Sequence, residues 1–257
     1  MFTTFRKIIK KFIKFYYRKE GTSKFIFDTS KSNIKKDILE KYGHNSDLLE
    51  LFINNKNFLI HKWHHYIPIY DHYFSPFRER DIKLLEIGVS KGGSLQLWRK
   101  YFGNKATIFG IDINPECKKY GTSTEHVRIG SQIDESFLQS VIKEMGGVDI
   151  ILDDGSHHMK HIPATLRFLY PHLNYDGIYM IEDLHTAYWK KYGGGYDAKN
   201  NFFKFVMDLV DDMHHWYHPN KIKQAHISKD CSSIHIHDSV VVLKKNKVHS
   251  PVHSKIV

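Results

Sequence analysis

Two acidic pairs and one histidine carry most of the chemistry available to this 257-residue sequence. Asp153 and Asp154 close the run V-D-I-I-L-D-D and are followed by Gly155, Ser156, His157 and His158, while Glu182 and Asp183 close a second apolar run, Gly177 to Ile181. Carboxylates are hard oxygen ligands suited to Mg²⁺, and several crowded together are costly without a cation. An imidazole beside them can move a proton near neutral pH. This chemistry requires the two acidic pairs to be neighbours in space. They become so if both apolar runs are adjacent parallel strands, because the carboxyl ends of such strands form the ligand crevice of an open α/β sheet.

The elements around these residues fit that requirement. From Lys83 the chain alternates strand and helix: K-L-L-E-I-G-V, then G-G-S-L-Q-L-W-R-K-Y-F, A-T-I-F-G-I-D, E-H-V-R-I-G, E-S-F-L-Q-S-V-I-K-E, V-D-I-I-L-D-D, H-I-P-A-T-L-R-F-L-Y-P-H-L, G-I-Y-M-I-E-D and N-F-F-K-F-V-M-D-L-V-D-D-M-H. Such alternation predicts an α/β fold with a doubly wound, mostly parallel sheet of seven strands. Three closely spaced runs end the chain, K-Q-A-H-I-S, S-S-I-H-I-H-D-S and V-V-V-L-K-K-N. They read as strands closing in an antiparallel C-terminal hairpin. Residues 46–257 are assigned to this domain. Residues 1–45 are a basic amphipathic helix followed by a polar linker with one short helix near Lys35 to Tyr42. Between them, Ile60 to Phe77 is dense in aromatic rings and histidine, with a helix expected from Pro68 to Phe74. That stretch reads as a cover for the sheet or as a wall of the acceptor pocket.

The net charge of +10 is uneven. Residues 1–41 hold 12 Lys and Arg against 4 acids and residues 221–257 hold 7 against 2, whereas the middle of the chain holds 19 against 22. A basic patch beside the site, the usual mark of a nucleic-acid enzyme, is therefore not expected, and no nucleic-acid partner is assigned. Phe5, Ile8, Ile9, Phe12, Ile13 and Tyr16 recur at helical spacing among lysines and arginines. A helix of this kind packs on its own domain, packs on a second subunit in a homo-oligomer, or rests on an anionic membrane surface through residues 1–20. Neither a signal peptide nor a membrane span is expected. The two cysteines, Cys117 and Cys231, have no metal or disulfide spacing, so a reducing cytoplasm is expected, with the inner membrane surface as the place where the basic helix would act.

A second motif points to a nucleoside cofactor. Glu86 to Ser94 reads E-I-G-V-S-K-G-G-S at a strand-turn-helix junction, where Gly88 and its partners let a ligand approach the backbone. Asp112 ends the next strand, 24 residues beyond Gly88, where an acid accepts the hydroxyls of a ribose. After the third strand, Ser131 and Gln132 fall where a polar side chain meets an adenine edge.

These runs together, L-L-E-I-G-V-S-K-G-G-S-L, G-I-D-I-N-P, L-D-D-G-S-H-H and I-E-D-L-H-T-A-Y-W, resemble the class I S-adenosylmethionine-dependent methyltransferases. More narrowly, the resemblance is to bacterial sugar O-methyltransferases of the macrolide-tailoring type and their relatives in surface-glycan loci, over about His61 to Lys245. It implies a Rossmann-like methyltransferase fold, S-adenosylmethionine and Mg²⁺ as cofactors, and a sugar or nucleotide-sugar substrate. It also implies metal ligands at Asp154, Glu182 and Asp183, His157 as catalytic base beside Asp154, and Glu86, Gly88, Ser94 and Asp112 at the cofactor. Ser131 departs from the acidic residue that relatives often carry there. Asp153 is assigned to orienting the methionine part of the cofactor. His158, His161, His214, His215, His235 and His237 are read as structural, and Gly193 to Gly195 either as a loop able to fold over substrate or as an ordinary exposed loop.

Overall fold

The computed structural model describes residues 21–257, so the basic helix expected over residues 1–20 lies outside the described residues. Seven strands form one sheet: β1 (Lys83–Ile87), β2 (Thr107–Asp112), β3 (Glu125–Ile129), β4 (Val148–Asp153), β5 (Leu173–Ile181), β6 (Cys231–His237) and β7 (Val240–Lys245). Their order is β3-β2-β1-β4-β5-β7-β6, with β1 to β5 parallel and β7 antiparallel to both neighbours. The chain winds outward from β1 to β3, then crosses to β4 on the other side of β1. That reversal opens a crevice at the carboxyl ends of β1 and β4, where doubly wound sheets bind ligands.

Successive strand residues point to opposite faces, and both faces are covered. On the front, Leu84, Ile108, Ile150, Leu152, Met180 and Val242 pack under helices α1 (Lys31–Tyr42), α2 (Asp47–Ile53), α3 (Tyr66–Phe74) and α4 (Gly93–Phe102). Tyr70, Phe74, Trp98 and Phe102 interlock there with ring centroids 5.2–5.7 Å apart for the pairs around Phe74 and Tyr70. On the back, Leu85, Ile87, Ile111, Ile151, Tyr179 and Val241 pack under α5 (Glu135–Met145), α6 (His161–Leu169) and α7 (Phe202–Met213). Local signals set the helix ends: Asp134 caps α5 through a bond from the Phe137 amide, and Gly146 terminates it in the left-handed region.

The sheet and its antiparallel closing hairpin agree with the sequence reading; three local readings change. Lys223 to Ser228 is not a strand, because Ala225–Ser228 forms a short helix, α8, whose start is held by Asp212 accepting the Lys223 and Gln224 amides. The helix near Lys35 starts earlier, at Lys31, and Ile38 is in the front core. The aromatic run starts its helix at Tyr66 rather than Pro68, since proline is tolerated in a first turn. α2 has no counterpart in the sequence reading; its heptapeptide D-L-L-E-L-F-I is too short to show a periodicity.

Candidate active site

The cleft sits at the carboxyl ends of β1, β2 and β4 and has a volume of about 300 Å³. Its floor is the turn after β1. Gly88 has φ +97°, and a Cβ there would stand 2.1 Å from the Asp154 backbone oxygen, so only glycine lets β1 pass the end of β4 this closely. Asp112 Oδ2 accepts the Val89 and Ser90 amides at 3.0 Å each, and Oδ1 accepts the Asn114 amide at 2.8 Å. The acid thus shapes the turn while lining the cleft, beside Gly88, Ser90 and Ser94.

The opposite wall is acidic. Asp154, His157 and Asp183 offer three ligand atoms within 4.8 Å of one another. His157 Nε2 lies 3.6 Å from Asp154 Oδ1 and 3.8 Å from Asp183 Oδ2. His157 and Asp183 both hold left-handed backbone, φ 53° and 57°, a conformation unfavourable for side chains other than glycine and one that clusters at functional sites. The surroundings of Asp183 secure it: Tyr66 donates to its Oδ1 at 2.8 Å and Trp63 Nε1 at 3.2 Å. Burial raises the Asp154 carboxyl above its usual range. For Asp183 burial acts the same way, but His157 and His185 outweigh it and hold that carboxyl low. Adjacent acids displaced in opposite directions are a usual property of acid-base sites.

Lys62, from the loop before α3, is the residue the sequence reading missed. Its ammonium is 2.5 Å from Asp154 Oδ2 and also donates to Glu182 Oε1, with Glu86 adding attraction. Burial opposes its charge, and the carboxylates overcome that and keep its pKa well above the ordinary lysine value. Lys62 is the sole Lys or Arg in Ile60 to Phe77, a signal that could have singled it out. Residues 60–62 of this stretch line the cleft and Tyr66–Phe74 covers the sheet.

The structure thus brings together Gly88, Ser94, Asp112, Asp154, His157 and Asp183 around one cleft. Other expected residues stand elsewhere. Glu182 is buried behind the wall, bonded to Lys62 and to the Tyr70 hydroxyl, and is outside the ligand-atom group. Asp153 points to the back of the sheet and is absent from the cleft lining. It receives the Tyr179 hydroxyl at 3.2 Å and Gln132 Nε2 at 3.4 Å, and burial pushes its carboxyl up to about 6. Gln132 is spent on Thr165 and the Ser156 amide, and Ser131 on the Ile133 amide, so neither lines the cleft. Glu86 is wholly buried beneath the floor, near Ser94 and Trp98, and burial pushes it up to about 7. His161 bonds Ser156, and the Gly193 to Gly195 loop is tied down by the Gly194 and Gly195 amides to Trp189 and Ala187.

The strand order β3-β2-β1-β4-β5-β7-β6, with β7 antiparallel, is that of Rossmann-like methyltransferases, and comparison with known proteins narrows the class. The chain is 35% identical over 199 residues to the 8-demethyl-8-(2-methoxy-alpha-L-rhamnosyl)-tetracenomycin-C 3'-O-methyltransferase of Streptomyces olivaceus, covering 72% of this chain and 50% of that protein. It is 30% identical over 200 residues to the mycinamicin VI 2''-O-methyltransferase of Micromonospora griseorubida, covering 72% and 49%. It therefore spans about half the length of the curated relatives it matches. Among solved structures, MycE methyltransferase from the mycinamycin biosynthetic pathway in complex with Mg and SAH superposes with a TM-score of 0.69 at 29% identity, over 79% of this chain and 55% of that one. No protein-family model matches the chain. The chain is thus similar in sequence to sugar O-methyltransferases of macrolide tailoring and has the class I methyltransferase fold.

Proposed function

We propose that this chain is a metal-dependent O-methyltransferase that moves a methyl group from S-adenosylmethionine to a sugar hydroxyl, working in the cytoplasm on a nucleotide-linked sugar or a glycan intermediate of surface polysaccharide synthesis. The observation that carries the reading is the convergence of Asp154, His157 and Asp183 on the same cleft that the Gly88 turn and Asp112 floor. The names of the relatives, sugar O-methyltransferases, support the substrate class.

The residues fit both groups. Gly88, Ser90 and Asp112 would hold the nucleoside, with Asp112 facing the ribose and the glycine backbone allowing close approach. Asp154 and Asp183 would hold Mg²⁺, since two carboxylates with room for water and substrate oxygens suit that ion. When bound, a metal supplies Lewis acidity that eases deprotonation of a coordinated hydroxyl. His157 Nε2, between the two carboxylates, would take the hydroxyl proton as the new oxygen–carbon bond forms and the sulfur–carbon bond breaks. Lys62 keeps Asp154 and Glu182 from repelling each other, so the acidic wall holds its shape. Tyr66 and Trp63 fix the Asp183 rotamer, which is the positional contribution methyl transfer mainly needs.

Isothermal titration with S-adenosylhomocysteine, without and with Mg²⁺ and a panel of nucleotide sugars, tests this. Nucleoside binding, plus one sugar that binds only with Mg²⁺, is the expected result. No nucleoside binding would end the methyltransferase reading.

A further inference from the structure

We propose that the lip of the cleft is a membrane-docking surface and that the acceptor sugar is borne on a carrier anchored in an anionic bilayer. The part about the acceptor rests on the methyltransferase reading above; the docking surface does not. Phe25, Ile26 and Phe27 form an extended strap laid across the loop that walls the cleft. Phe25 meets the Trp63 ring edge-on at 5.1 Å and Phe27 meets His61 at 5.7 Å. Even so, Ile26 is 95% exposed and Phe27 74%, and Leu59, on the cleft wall itself, is 68% exposed. Three large apolar side chains left in water at the mouth of a site mark an interaction surface rather than ordinary exposure.

Charge decides the occupant. The 20 residues leading into the strap carry seven Lys and Arg against a single acid, Glu20, interleaved with Phe5, Ile8, Ile9, Phe12 and Ile13. Lys24 continues the basic run and stands over the Phe25 ring at 4.9 Å. An anionic lipid surface satisfies both features together: headgroups attract the cations, and the boundary with the acyl chains takes up the apolar tips. A second copy of the chain would bring two such basic stretches together and pay their repulsion. An acceptor presented by the bilayer would then meet the cleft at its lip, with its sugar reaching toward Asp154 and His157.

Sedimentation of the full chain with phosphatidylcholine vesicles, with and without one-third phosphatidylglycerol, tests this. Binding is expected only with the anionic lipid, weakening at high salt as exposed charges are screened. Ile26→Ser combined with Phe27→Ser should weaken it about tenfold, the loss expected for partly withdrawing two apolar side chains, with S-adenosylhomocysteine affinity unchanged. Ile26→Trp should shift its emission to the blue on anionic vesicles. Undiminished vesicle binding by the serine variant, no binding by the parent chain, or a stable dimer that ignores vesicles would overturn the proposal. Vesicle binding without nucleoside binding would retain the docking surface and remove the methyltransferase reading instead.

Discussion

Two largely shielded ion-pair networks lie at opposite rims of the sheet, and their balance differs. At the amino rim, Arg99 Nε meets Glu125 Oε1 at 2.6 Å. Its remaining nitrogens reach the carbonyls of Gly103, Ala106 and Thr124 at 2.7–2.9 Å. Glu125 also takes the hydroxyls of Thr122 and Thr124. One cation faces one anion, and the donors are used. At the carboxyl rim, Lys62 is the one lysine or arginine paired with Asp154 and Glu182 among the described residues, with Glu86 and Asp183 close by. A balanced network serves folding, while an excess of buried negative charge costs stability and is kept where a bound cation or ligand will use it.

The comparison can be tested by breaking either rim. The largest effect is expected for Asp154→Ala, which removes a proposed metal ligand together with a partner of Lys62. Turnover should fall by about 10³ and Mg²⁺ affinity by more than about tenfold, with S-adenosylhomocysteine affinity kept. Calorimetric loss of nucleoside affinity with metal dependence intact would mean that the wrong aspartate carries the metal. His157→Ala should lower turnover by about 10² to 10⁴ and leave the melting temperature nearly unchanged. Near-normal turnover would remove it as the base.

At the amino rim the loss should appear in folding alone. Glu125→Gln is expected to cost about 2 kcal/mol at neutral pH, measured by urea unfolding. Burial would raise the Glu125 carboxyl, but bonds from Thr122 and Arg99 hold it low. Its stabilisation is therefore present above the unfolded value and lost as pH falls through the folded one, so the variant should show a shallower acid limb. Glu86→Gln should act in the reverse sense and more weakly. The Glu86 carboxyl is raised to about 7, so what it contributes is present below its unfolded pKa and lost as pH rises through about 7. The variant should therefore be more stable than the parent at pH 8 and no different near pH 4. A loss at pH 8 would show that Glu86 is needed as the ion beside Lys62, which would make the carboxyl rim balanced after all.

Much of the fold was legible because strands buried on both faces read as apolar runs, and four such runs, with the alternating E-H-V-R-I of β3, are interleaved with helices. Lys223 to Ser228 was misread because a six-residue run carries too little periodicity to separate a strand from a helical turn. Within the site, Gly88, Asp112, Asp154, His157 and Asp183 were legible because each stands at or just beyond a strand end, and strand ends show in sequence. Asp153 was misplaced by a single residue of pleat: it shares parity with Ile151, whose side chain lies in the back core.

The sequence by itself determined the alternation of strands and helices and the placing of two acidic pairs at strand ends, since period and order along the chain are local properties. Only the tertiary structure decided which member of each pair faces the cleft. Asp153 turns to Tyr179 on the back of the sheet, and Glu182 is taken up by Tyr70 and Lys62. Lys62 reaches Asp154 across 92 positions of sequence. No spacing rule relates residues that far apart, and only the packing of the aromatic loop onto the ends of β4 and β5 places that cation among the acids.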